Sequence, residues 1–217
     1  IAKYNALSKH KIKWTDASVK NALREMAKVV SDTNNIAGGK AGALQTDFNT
    51  SVSNVFSAKP KAAMVIEGDF VPGVVAHPAV KAITGYNVFD FPKINGSPVE
   101  SIGGGDIVTM LKDSPAARAL IKYLATPAAA TIWAKRGGFG SPNKDVKPSA
   151  YPDALQRKAA AGLVKAVVFD MSDLQPAAFG ATTGQGEWKL FQDFVSNPSN
   201  ASGIQQQLET AAKKAYK

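Results

Sequence analysis

The stretch SIGGGDIVTMLKDSPAARALIKYLATPAAATIWAKRGGFGSP, residues 101–142, holds both strand and helix signals. After the glycine run Gly103-Gly104-Gly105, the segment Asp106–Leu111 reads as a strand candidate. Ser114-Pro115 then predicts a helix start, with Ser as cap and Pro in the first turn, where its missing N–H costs nothing. Thr126-Pro127 repeats that signal and predicts a second helix through Trp133, ended by Gly137-Gly138.

The same alternation extends in both directions. Toward the start, Ala62–Ile66 is a short apolar run closed by Glu67-Gly68, the pattern of a buried strand, and Tyr86–Phe91 is a β-branched and aromatic run stopped by Pro92. A loop with Pro72, Gly73 and Pro78 lies between them. Earlier still, Thr15 or Asp16 caps a helix with Val19, Leu23, Met26 and Val30 on one face. That helix fails at the turn-rich Asn34–Gly39, and a shorter helix is predicted over Asp47–Phe56. Toward the end, Pro142–Pro152 reads as a loop or linker and Asp153–Val168 as helix. The glycine-rich Gly180–Gly186 precedes a helix from Glu187 to about Ser196, and a last helix carries Ile204, Leu208, Ala211 and Ala215. Alternating strands and helices, with helix dominant, predict an α/β fold.

Bulk properties narrow the class. With 217 residues, 45% of them hydrophobic and 20% charged, the chain has the composition and length of one large or two small globular domains. No run approaches the roughly 18–20 apolar residues of a membrane span. The absence of cysteine excludes thiolate metal sites, disulfides and a Cys nucleophile. The net charge of +9 raises nucleic acid or another anionic polymer as a partner, but the lysines are scattered and even Lys9, Lys11 and Lys13 alternate with other residues. Nucleic acid is therefore not expected as a partner. The chain starts at Ile1 without a basic-then-apolar leader, as expected of a processed or partial sequence.

Catalytic apparatus is thin. His10 and His77 have no partner at a metal-ligand spacing and read as surface residues; no metal or cofactor is expected. No nucleophile elbow, phosphate loop or zinc-protease motif occurs. Glu67 and Asp69 would share one face of a strand end, a poor arrangement for straddling a glycosidic bond. Gly103–Gly105 reads either as a crossover with unusual backbone angles or as bare backbone approached by a ligand, with Asp106 accepting hydroxyl hydrogens. The aromatics are more telling. Phe70, Phe139 and Trp188 sit in or beside polar loops, where a ring can stack on the apolar face of a sugar. Trp14 and Trp133 read as core.

Four stretches, PKAAMVIEGDFVPGV, YNVFDFPKINGSP, GGGDIVTMLKDSPAARALIKYLATPAAATIWAKRGGFGSPNKDV and LQPAAFGATTGQGEWKLFQDFVSNP, occur in that order. Together they resemble family 1 extracellular solute-binding proteins, the carbohydrate-binding components of ABC importers related to maltose-binding protein, and most of all the alpha-glucoside branch. The similarity runs from about Lys13 to Lys217 and corresponds to the C-terminal half of the family.

The resemblance implies a type II, two-lobed periplasmic-binding-protein fold, incomplete in this chain, that closes on a sugar without chemistry and signals to permease subunits. It implies the first part of lobe two in residues 1–102, a hinge crossover at 103–105, part of lobe one in 106–145, and the hinge return with the last part of lobe two in 146–217. Carried over by motif, EGDF points to Asp69 and Phe70, GGGD to Gly104 and Asp106, RGGFGSPN to Arg136 and Phe139, and TTGQGEW to Gln185 and Trp188. Phe70 stands where some relatives carry Trp. The implied location is extracytoplasmic, periplasmic or lipid-anchored, with Ile1 inside a longer protein whose N-terminal half is missing here. A glycosidase and a protein that binds anionic polymers are the competing readings.

Overall fold

The computed structural model describes residues 1–75, 87–98 and 101–217. Its helices are α1 (Ala2–Leu7), α2 (Ala17–Val30), α3 (Gly39–Gln45), α4 (Phe48–Phe56), α5 (Val71–Val75), α6 (Pro115–Leu124), α7 (Pro127–Arg136), α8 (Ala154–Leu163), α9 (Ala177–Gly180), α10 (Gly186–Ser196) and α11 (Ala201–Ala215). Strands β1 (Ser101–Gly103) and β2 (Ala166–Phe169) pair in a two-stranded sheet. The described residues are thus largely helical. They divide into one compact unit of Ile1–Asp47 with Val168–Lys217 and a second of Phe48–Val167.

The first unit has a continuous core. Val19 and Leu23 of α2, Phe179 of α9, Phe194 of α10 and Ile204, Leu208 and Ala212 of α11 are buried together with Leu7 and Trp14. The helical spacing of apolar residues explains the choice: one stripe of each helix turns inward, and each large side chain so buried contributes about 1.5–3 kcal/mol. Trp14 packs edge-on against Phe179 at 5.1 Å and Phe191 at 6.4 Å, which bears out its reading as core. Its backbone is held by α11: its N–H donates to Glu209 (2.9 Å) and its carbonyl accepts from Gln205 (3.0 Å). Asp16 caps α2 by accepting from the Ser18 amide at 2.8 Å. The Ser18 hydroxyl and amide, then Lys3, hold the Asp16 carboxyl down to about 2.

His10 is not the surface residue expected. Its side chain is mostly buried and faces Glu209 at 3.2 Å. Burial acts to raise the Glu209 carboxyl, but the Trp14 amide, His10 and Lys213 outweigh it and hold the group below its ordinary range. The α2 spacing signalled the helix; nothing local signalled a partner 199 residues away. His77 and Pro78 lie outside the described residues.

The second unit has small separate cores. Ala130, Ala134, Val146, Tyr151 and Ala160 form one, and Val52 with Phe56 another. The helix starts are as expected: Ser114 accepts from Ala117 N–H at 3.1 Å and Thr126 from Ala129 N–H at 3.3 Å. Gly137 ends α7.

The strand expectations fare differently. Ala62–Ile66, the described part of Tyr86–Phe91, and Asp106–Leu111 are irregular, and the strands lie at 101–103 and 166–169 instead. A strand exists only with a ladder partner, and β-propensity cannot supply one. The side chains in these segments are correspondingly open: Met64, Ile66, Phe89, Phe91, Ile107 and Val108 are exposed, and Leu111 is 96% exposed. Helix α8 stops at Leu163, and Ala166–Val168, read as its continuation, belongs to β2. The β-branched pair in AVVF favours a strand once β1 is beside it. Short helices α1, α3, α5 and α9 add to the predicted set; α5 includes Pro72 and Gly73, which read as loop.

Candidate functional site

In the second unit, the turn Gly68–Phe70 leads into α5, with Gly73 N–H donating to the Phe70 carbonyl at 2.9 Å. The loop after α7 packs on this turn. Gly138, at φ +69, lies so close to Gly73 that a β-carbon on it would sit 2.3 Å from the Gly73 Cα. Only glycine satisfies both the left-handed backbone and that approach. The Gly138 amide donates to Gln156 Oε1 at 2.9 Å, and the Ser141 amide donates to the Tyr151 hydroxyl at 3.0 Å, which fixes the loop from its other side.

These contacts bring Asp69, Phe70 and the Gly138–Gly140 backbone together. Asp69 Oδ2 is buried against Gly140 and has no hydrogen-bond partner among the described residues. Burial pushes the Asp69 carboxyl above its ordinary range. The Phe70 ring is 44% exposed and meets Phe48 edge-on at 5.6 Å. A half-exposed ring on a polar turn is chemically suited to the apolar face of a polyhydroxy ligand, whereas Asp69 Oδ2 is closed off from solvent by Gly140.

Phe139 stacks on Trp133 with ring centroids 4.7 Å apart and planes inclined by 19°. Trp133 is not core: it is 52% exposed. Ala130 and Ala134, four residues apart, take the buried face of α7, and Trp133 falls to its edge. Position among alanines could not distinguish the two outcomes. Arg136 is the exposed last residue of α7. Gly104 and Asp106 are exposed on the irregular segment that follows β1. An open depression at the start of α6, lined by Asp113, Ser114, Pro115, Arg118, Ala119 and Lys122, includes none of the expected ligand residues.

Gln185 and Trp188 belong to the first unit. Gln185 precedes α10 and its carbonyl accepts the Lys189 amide at 3.2 Å; Trp188, in the first turn, is 46% exposed. Between them, Glu187 is buried, and burial pushes its carboxyl up to about 7. Its sequence setting, an acid in the first turn of a helix, gave no sign of that burial, because such acids are ordinarily solvated partners of the helix dipole.

Among the described residues no cluster of His, Asp and Glu is arranged to hold a metal ion, and no helix is long and apolar enough to cross a membrane.

Comparison with known proteins places the chain. It is 35% identical over 199 residues to the osmoprotective compounds-binding protein GgtB of Synechocystis sp., covering 89% of this chain and 46% of that protein. It is 32% identical over 212 residues to the alpha-glucosides-binding periplasmic protein AglE of Rhizobium meliloti, covering 93% of this chain and 45% of that protein. No family model matches, and no solved structure matches. The chain spans about half the length of the curated relatives it matches. Identity at this level, sustained over nearly all of its residues, makes the chain a homologue of these two binding proteins along about half of their length, in line with the resemblance of its motifs.

Proposed function

We propose that this chain is the C-terminal half of an extracytoplasmic carbohydrate-binding component of an ABC importer, which captures a sugar between two lobes and performs no reaction on it. The observation that carries the reading is identity of 32–35% over 89–93% of the chain to proteins named for binding alpha-glucosides or osmoprotective compounds. The Asp69–Phe70 turn supports it, because a half-exposed ring on a polar turn offers a platform for the apolar face of a sugar. In this reading Gly104, Asp106, Arg136, Phe139, Gln185 and Trp188 complete the ligand surface, and an alpha-glucoside or oligosaccharide is the ligand class.

The missing half is part of the same proposal. Irregular segments 62–66, 87–91 and 106–111 expose apolar side chains that their composition suits to strands. Ladder partners and a covering layer supplied by an N-terminal half would bury them; left open, such patches promote association. The lobe boundaries, with residues 1–102 and 146–217 in one lobe, 106–145 in the other and the crossover at 103–105, belong to the proposal too. A compact unit of this chain need not coincide with a lobe of the longer protein. The permease subunits of the importer are the implied partners, and a periplasmic or lipid-anchored position is the implied location.

The test is a thermal-shift screen of the full-length protein against alpha-glucosides, other disaccharides and oligosaccharides, since a ligand that binds only the folded state raises the melting temperature. A saturable shift with at least one sugar, abolished in Phe70→Ala and Asp69→Ala, is expected. A flat response to every sugar rejects the reading, and turnover of aryl glycosides would replace it with an enzyme.

A further inference from the structure

A buried polar pair underlies the start of α10. The amide end of Gln175 lies 3.2 and 3.3 Å from the two carboxylate oxygens of Glu187, and both residues are buried. The surroundings leave little slack. Gly186, at φ +51, is pressed on α9 so closely that a β-carbon there would sit 2.1 Å from the Phe179 carbonyl oxygen. Residues one apart on a helix point about 100° apart, so an inward Glu187 turns its neighbour Trp188 outward.

Of the groups facing Glu187, Gln175 favours its charge through a hydrogen bond, but burial outweighs it. Asp170 acts on it with like charge, while Tyr4 of α1 and Tyr216 after α11 feel its charge in turn. Both tyrosines are pushed up to about 12, chiefly by burial. Helix α9 has no ionisable side chain, Lys40 is the ionisable residue of α3, and Glu209 of α11 is engaged by His10 and Lys213. Among the described residues no lysine or arginine forms an ion pair with Glu187.

We propose that Glu187 and Gln175 form a proton-dependent latch that holds the start of α10, and with it Gln185 and Trp188, in place. In the closed state a neutral Glu187 donates its O–H to Gln175 Oε1. Loss of that proton to solvent leaves two oxygens that only accept, so the Gln175 amide must turn over and donate its N–H groups instead. A buried anion facing Asp170 then loosens the turn. The folded state keeps its proton up to about 7, whereas an unfolded glutamate loses it near 4.5. Stability from this group is therefore full at low pH and is lost as pH rises through that interval.

Only the consequence for ligand rests on the reading of Gln185 and Trp188 as sugar contacts. In the full-length protein, side-chain carboxyl NMR should show Glu187 titrating near neutrality; a midpoint at the ordinary glutamate value overturns the latch. Between pH 5.5 and 8 the melting temperature should fall by about 5 °C more in the native protein than in Glu187→Gln, which has no proton to lose. Equal slopes overturn it as well, and the NMR titration decides the matter if that variant does not fold. Sugar-induced stabilisation should be weaker at pH 8 than at pH 6 in the native protein and equal at both in Glu187→Gln. Binding that is indifferent to pH in the native protein overturns the control of Gln185 and Trp188. No binding at either pH rejects the sugar reading, and the latch then stands or falls on its titration and melting.

Discussion

The two units of this chain differ in how completely they bury what their sequences offer. In the first, Trp14, Phe179, Phe194, Ile204 and Leu208 share one core, assembled from the two ends of the chain. In the second, an alanine-rich cluster and the Val52–Phe56 pair are small, while Ile107 is 82% exposed and Leu111 almost fully so. Both units carry well-capped helices, so helix formation is not what separates them. The difference teaches that an apolar segment becomes core only when a second surface arrives to cover it. Helices α10 and α11 find each other within this chain. The strand-like segments 62–66 and 106–111 do not find partners among the described residues.

Removing a large side chain from the closed core should give the greatest effect. Leu208→Ala in α11, fully buried, should cost about 3–5 kcal/mol in urea unfolding, as a cavity forms among rigid neighbours. A cost below about 1 kcal/mol would mean that the first unit is as loosely covered as the second. Leu111→Ala sharpens the contrast. In the 217-residue chain by itself it should change stability by less than about 0.5 kcal/mol, because the side chain already faces solvent. In the full-length protein, with the proposed covering half present, the same change should cost about 2 kcal/mol. Equal, small costs in both would remove the proposed cover from this segment. The smallest expected effect concerns what the units have in common. Ser114→Ala, which removes the cap of α6, should cost about 1 kcal/mol, ordinary for a helix cap. No measurable change would show that α6 is held by packing and not by its cap.

The legible parts of the molecule share a short range in sequence. Ser114-Pro115 and Thr126-Pro127 start their helices as read, because the cap and the amides it serves lie within three residues. Of the expected stripe Val19, Leu23, Met26 and Val30, period alone identifies the buried Val19 and Leu23, whereas Met26 is exposed and Val30 only partly buried. The expected ligand residues were legible as motifs, and Asp69 and Phe70 do meet the Gly138–Gly140 loop. What was not legible depends on distant partners: His10 with Glu209, Trp133 turned out beside Phe139, and Glu187 turned in upon Gln175.

The amino-acid sequence alone determined that most helices exist, where α2, α6 and α7 begin, and which family the chain resembles, since local periodicity, capping and ordered motifs are properties of neighbours along the chain. Tertiary structure alone decided which apolar runs became strands, which tryptophan was buried and which acid lost its solvent. Each of those outcomes is settled by atoms far away in sequence: a strand needs another strand's amides, and a carboxyl's proton is held by whatever surrounds it.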